Sequence, residues 1–141
     1  MVTNIDLGDA QDIHPKTKRE VGRRMAAIAL NQTYGKSKVA YTAPIYHHFT
    51  VEEDGVHIHF STQQGSEPLV REDNLPGFII AGADRKWHVA KAKVISEDEV
   101  VVSNEGVHFP VAVRYGWADN PTCTLRTASD LHVAPFRTDR W

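Results

Sequence analysis

Apolar residues recur at helical spacing from Lys16 to Tyr34. Val21, Met25 and Ile28 follow one stripe with Gln32, and Ala26, Ala29 and Leu30 widen it, which is the period of an amphipathic helix. His14-Pro15 opens this helix, because proline is tolerated where an amide has no intrahelical partner. Gly35 stands where a C-terminal cap belongs. Gly22 weakens the helix by about 1 kcal/mol relative to alanine, a cost that close approach to a neighbouring backbone would explain. Ahead of the helix, Ile5, Leu7 and Ile13 are threaded with Asp6, Asp9 and Asp12, which reads as a brief strand followed by a loop.

Past Gly35 the period changes to alternation. Val56, Ile58 and Phe60 point one way and His57, His59 and Ser61 the other; Val111, Val113 and Tyr115 repeat the pattern against Ala112 and Arg114. Further strands are expected over 39–46, 77–81, 86–94 and 99–103. Turn material separates them at 53–55, 63–74, 82–84 and 96–98. Short strands at this spacing predict a mainly β chain, an antiparallel β-sandwich-like domain. The leading helix does not belong to that pattern and reads as the last element of an α/β unit. Residues 118–141 lack periodicity and are rich in Pro, Thr and Arg. They are expected to pack across a surface, anchored by Phe136 and Trp141, with Arg137 and Asp139 paired in a locked terminal turn and Arg114 available as another partner.

Composition narrows the function classes. The 141 residues are 41% hydrophobic and 24% charged, values typical of a globular chain. The net charge of -2 argues against a nucleic-acid partner, which selects for basic surplus. The run Lys16, Lys18, Arg19, Arg23, Arg24 carries Glu20 among its cations and reads as a solvated helix face. No apolar stretch is long enough to span a membrane, so no membrane partner is expected. Cys123 is the single cysteine and reads as buried and structural. It cannot form an internal disulfide, which leaves the compartment open, a periplasmic or secreted parent included. Residues 1–6 lack the features of a signal peptide, so any export signal is expected elsewhere in a longer protein.

Three groups of residues could carry chemistry. Asp9, Asp12 and His14 place carboxylates beside a histidine at a loop end, the material of a general base oriented by an acid; spacing alone also allows an exposed histidine at a helix start. None of Ser37, Ser61, Ser66, Ser96, Ser103 or Ser129 lies in a nucleophile elbow. His47, His48, His57 and His59 could hold zinc, but no carboxylate or thiolate stands at a defined ligand spacing, so a polar strand surface is the preferred reading and no metal is expected. Trp87, Tyr115, Trp117, Phe136 and Trp141 could form a sugar platform, with core packing and tail anchoring preferred.

Several blocks in order resemble one family. Asp9-Ala10-Gln11-Asp12-Ile13-His14-Pro15-Lys16, with Val21-Gly22-Arg23-Arg24 and Tyr34-Gly35-Lys36, resembles the catalytic-histidine block of the sialate O-acetylesterases, serine esterases with an SGNH-type α/β domain. Gly77-Phe78, Ala81–Asp84, Pro110–Trp117 and Pro135–Asp139 resemble the blocks that follow. The resemblance implies hydrolysis of acetyl esters on sugars by a serine, a histidine and an aspartate, without metal or organic cofactor. His14 would be the base and Asp12 the acid, with Asp9 as the fallback, because Gln11 stands where many SGNH esterases have their aspartate. Residues 1–36 would be the last strand, catalytic loop and helix of the esterase domain, and 37–141 an accessory β-sandwich. The serine and oxyanion hole would belong to the remaining N-terminal esterase domain. Alone, the chain would be inert; the alternative is a standalone carbohydrate-binding or structural β-sandwich.

Overall fold

The computed structural model describes residues 1–14 and 16–141. One helix, α1 (Lys18–Ile28), precedes eight strands: β1 (Ile45–Glu52), β2 (Gly55–Ser61), β3 (Phe78–Gly82), β4 (Trp87–Val89), β5 (Lys91–Ser96), β6 (Glu99–Ser103), β7 (Pro110–Tyr115) and β8 (Phe136–Arg137). They form two four-stranded sheets, ordered β1-β2-β6-β5 and β4-β3-β7-β8. Every pairing is antiparallel. The chain is therefore mainly β behind a single short helix.

The core follows from alternation on the facing sides. Val56, Ile58 and Phe60 of β2 meet Val100 and Val102 of β6, and Phe78, Ile80, Val113 and Tyr115 come from the other sheet, all essentially excluded from water. Phe136 of β8 closes the gap between sheets, stacked 4.8 Å from Tyr46 and edge-on to Phe60 at 5.7 Å. Each such side chain contributes roughly 1.5–3 kcal/mol by leaving water. Burial also pushes the Tyr115 phenol up, and its hydroxyl accepts a bond from the Leu125 amide at 3.1 Å.

Several boundaries differ from the sequence expectation. The segment expected as one strand over 86–94 is two, because the chain changes sheets at Ala90: Val89 pairs with β3, and Lys91 pairs with β6. The first strand starts at Ile45, not at 39, since the Tyr41 and Thr42 amides bond to Gly65 instead. No strand forms over residues 1–13, where turns take the backbone bonds. The tail is more than a surface strap: Cys123, Leu125, Leu131 and Val133 are buried core. Its terminal lock uses Arg114, whose guanidinium grips Asp139 at 2.8 and 2.6 Å, while Arg137 stands 4.0 Å away. Phe136 is an anchor as expected, whereas Trp141 is exposed.

The helix begins at Lys18 and passes into a wider turn over Ala29–Thr33, with Gly35 at φ 66° after it. Pro15, expected at its start, lies outside the described residues. The helix buries Arg24, Ala27 and Asn31, a face different from the expected Val21–Met25–Ile28 stripe. Asn31 fixes the exit by donating to the Val39 carbonyl at 2.8 Å.

Candidate active site

The histidine loop is built on an anchored seam. Arg24 donates two 2.7 Å bonds to the Asp6 carboxylate and others to the carbonyls of Thr3 (2.8 Å) and Asp130 (3.1 Å). This one guanidinium ties the N-terminal segment, the helix and the tail together. Burial would raise the Asp6 carboxyl, but the Arg24 hydrogen bonds, the neighbouring His132, a backbone hydrogen bond and the Arg24 charge together hold the group below the usual carboxylate range. The sequence reading placed Arg24 on a solvated face, and that reading is overturned. Arg24 lies at i, i+3, i+7 with Ala27 and Asn31, and this is the stripe that is buried.

Among the described residues ahead of the helix, tight turns close at 4–7 and 9–12, the second through the Asp12 amide on the Asp9 carbonyl at 3.4 Å. The Leu7 amide bonds to the Asn4 carbonyl at 3.1 Å, and the Leu7 carbonyl accepts the Thr17 hydroxyl at 3.3 Å. Asp9 accepts the Gln11 amide at 3.0 Å and Lys16 Nζ at 3.5 Å. Asp12 instead accepts the His14 amide at 2.9 Å and lies 3.2 Å from His14 Nδ1. Of the two carboxylates, Asp12 is therefore the one beside the imidazole. Because a carboxylate only accepts, this contact calls for a proton on Nδ1, and in that tautomer the lone pair is on Nε2. The ring is 79% exposed, and Nε2 has no hydrogen-bond partner among the described residues.

Such an arrangement can take a proton at Nε2 and keep the resulting cation beside Asp12. No serine, threonine or cysteine side chain is hydrogen-bonded to His14 among the described residues. Ser129 is held by Glu67 at 2.8 Å and Ser96 by Asp98 at 2.9 Å. Cys123 is buried, and burial pushes its thiol up, the opposite of nucleophile activation.

The histidines of the β1–β2 hairpin separate into two environments. His47 Nδ1 and His48 Nδ1 lie 2.8 Å apart, and His48 stacks on His59 at 4.5 Å. His57 is buried among carboxylates instead, with Glu99 2.6 Å from Nδ1 and Asp54 2.8 Å from Nε2. The expectation that no carboxylate stands at a defined ligand spacing to these histidines is thus corrected: Asp54 lies three residues before His57 in the hairpin turn, and Glu99 arrives from β6, which linear spacing does not show. The tryptophans lie around the outer side of the other sheet: Arg114 sits 4.2 Å from the Trp87 ring and 5.9 Å from that of Trp117, and Arg137 is 5.4 Å from Trp117.

No family model and no curated protein sequence matches the chain. Among solved structures, the crystal structure of a carbohydrate acetylesterase from Xanthomonas citri matches with a TM-score of 0.89 at 38% identity, over 99% of this chain and 32% of that one. The chain is homologous to that part of the acetylesterase and spans about a third of its length.

Proposed function

We propose that the chain is the histidine-bearing part of a carbohydrate O-acetylesterase of the sialate type, with His14 as acid–base and Asp12 as the carboxylate that orients it. The observation that carries this reading is the His14 ring, presented outward on a braced loop with Nδ1 on Asp12 and Nε2 free. It stands in a chain homologous to a third of a carbohydrate acetylesterase. The sialate assignment rests on the motif resemblance, which also supports dividing the chain into 1–36, completing the esterase domain, and 37–141, bracing it.

In the complete protein, a serine from the remaining esterase domain loses its proton to His14 Nε2 as its oxygen bonds to the acetyl carbonyl carbon. The sugar oxygen departs with that proton, leaving acetyl-serine. Water then gives a proton to Nε2, attacks the acyl carbon and releases acetate and free serine. The partner is the rest of the parent protein, and the substrate is an acetylated sugar. The outer face of α1 supports such a partner: Gly22, Met25 and Ala26 are exposed together, Met25 to 59%, where a solvated helix would carry polar groups.

The test is acetyl release from a chromogenic acetyl ester. The 141-residue chain should release none, with or without His14→Ala. Joined in place of the homologous third of the Xanthomonas citri enzyme, it should support activity that His14→Ala lowers by several orders of magnitude. Activity of the chain alone that His14→Ala abolishes would overturn the reading, because the nucleophile would then lie in this chain. A sugar-binding sandwich is the second reading, favoured by the Trp117 ring, 48% exposed beside Arg137. It requires glycan retention on an affinity gel that Trp117→Ala removes.

A further inference from the structure

Two groups of side chains bring three metal-ligating atoms within 4.8 Å of one another: Asp6, Asp130 and His132, and Glu52, Asp54 and His57. The first already has its cation, since Arg24 pairs with both carboxylates at 2.7 and 3.7 Å. The second has none of that kind. Among the described residues, the ion pairs of Glu52, Asp54 and Glu99 are all with imidazoles.

The fold assembles this group from one hairpin and its neighbour. Glu52 ends β1 opposite Gly55, Asp54 lies in the turn, and His57 lies on β2 opposite Thr50. Glu99 of β6 pairs with His59, the next residue on the same face of β2 as His57. The His57 side chain is only 9% exposed, and its two nitrogens meet different things. Nδ1 is 2.6 Å from Glu99, whereas Nε2 points at the two hairpin acids, 2.8 Å from Asp54 Oδ1 and 3.7 Å from Glu52 Oε2. The Thr50 hydroxyl donates to the other Glu52 oxygen, Oε1, at 3.2 Å, which leaves Oε2 facing the ring.

We propose that His57 Nε2, Asp54 and Glu52 form a site for a divalent transition-metal ion, Zn²⁺ fitting best, with Glu99 as a positioning residue. Imidazole nitrogen with carboxylate oxygens suits zinc. Two ligand atoms each about 2.0–2.1 Å from a tetrahedral ion stand about 3.3 Å apart, and the observed 2.8 and 3.7 Å bracket that separation. A carboxylate on the distal nitrogen is the arrangement that fixes tautomer and ring angle in metal-bound histidines. Glu99 supplies it. Glu52 and Asp54 also line a surface hollow of about 320 Å³, which gives water access to the remaining coordination position. On binding, the Nε2–H bond breaks, its proton passes to the buffer, and the nitrogen lone pair goes to the metal. The site is separate from the His14 loop and does not depend on the esterase reading.

Calorimetric titration of ZnCl₂ into the chelator-treated chain tests this. One equivalent should bind saturably, with affinity falling at least tenfold in Asp54→Asn and in Glu52→Gln, whose side chains are exposed enough to leave the fold intact. Glu99→Gln should weaken binding by about 10–100-fold. The pair His47→Ala, His48→Ala should leave it within twofold. Several weak equivalents, no saturable binding, affinity indifferent to Asp54→Asn and Glu52→Gln, or loss confined to the His47, His48 double variant would each overturn the site.

Discussion

Arg24 and Asp6 face each other with side chains 2% and 15% exposed, so removing either leaves the other inside the seam without its nearest partner, with only the Asp130 carboxylate at 3.7 Å left to Arg24 and His132 at 3.5 Å to Asp6. Breaking such a pair from one side costs about 3–5 kcal/mol. Asp6→Asn should therefore lower chemical-denaturation stability by about that amount at neutral pH. Arg24→Met should do the same, and the double variant should lose less than the two added together. The pH dependence has a definite sign. The Asp6 carboxyl is held below its unfolded value, so its contribution is present above the unfolded carboxylate pKa and is lost as pH falls through the folded one. Wild-type stability should consequently fall more steeply on acidification than that of Asp6→Asn. Equal slopes would mean that the pair contributes nothing there. The same residues position the candidate histidine loop, because the turns carrying Asp9 and Asp12 hang between this seam and Thr17.

Gly22 and Gly77 give opposite expectations for one substitution. Gly22 is helical, and a Cβ there meets nothing within 4 Å among the described residues, so no close backbone approach there accounts for the glycine and Gly22→Ala should stabilise the chain by up to about 1 kcal/mol. Gly77 has φ 91°, and a Cβ would lie 2.7 Å from the Thr122 carbonyl; Gly77→Ala should cost about 1–3 kcal/mol. Thermal melts of the two variants moving in the same direction would refute this account. The contrast also shows what the sequence could reveal about the elements. Strand β2 was legible because Val56, Ile58 and Phe60 alternate with polar residues, and β6 because Val100-Val101-Val102 is a β-branched run buried on both faces. In β7 the expected alternation holds for Val113 and Tyr115 but not at Val111, which is exposed while Ala112 is buried. The change of sheet at Ala90 was not legible, because alternation persists across a one-residue switch. The helix was legible, but its buried face was not: Arg24 enters the seam only by pairing with an aspartate 18 residues away, and a charged residue carries no apolar signal. At the candidate site, His14 and Asp12 were adjacent enough to single out together. Around His57 the sequence shows Asp54 three residues away but not Glu99, which reaches it from 42 residues away.

At the scale of the molecule, the helix is amphipathic in an unusual sense. Its inner face is polar at the centre, with Arg24 and Asn31 buried beside Ala27, while Gly22, Met25 and Ala26 lie outside. The inner face therefore closes on residues 3–6, on the chain just after the helix and on the tail at Asp130, through an ion pair and hydrogen bonds, and apolar surface is left for something else. If that surface belongs to the isolated chain alone, a charge there is harmless in every context. If it meets the rest of an esterase, as proposed, the outcome depends on context. Met25→Glu should change the stability of the 141-residue chain by no more than about 0.5 kcal/mol, as for other exposed positions. In the chain joined to the remaining part of the Xanthomonas citri enzyme, the same substitution would bury an unpaired carboxylate and should cost several kcal/mol. Paired melting curves read the difference. A joined protein as tolerant of Met25→Glu as the isolated chain would show that this face meets nothing. The place of the helix within the esterase domain would then fail, even if His14 proved to be the base.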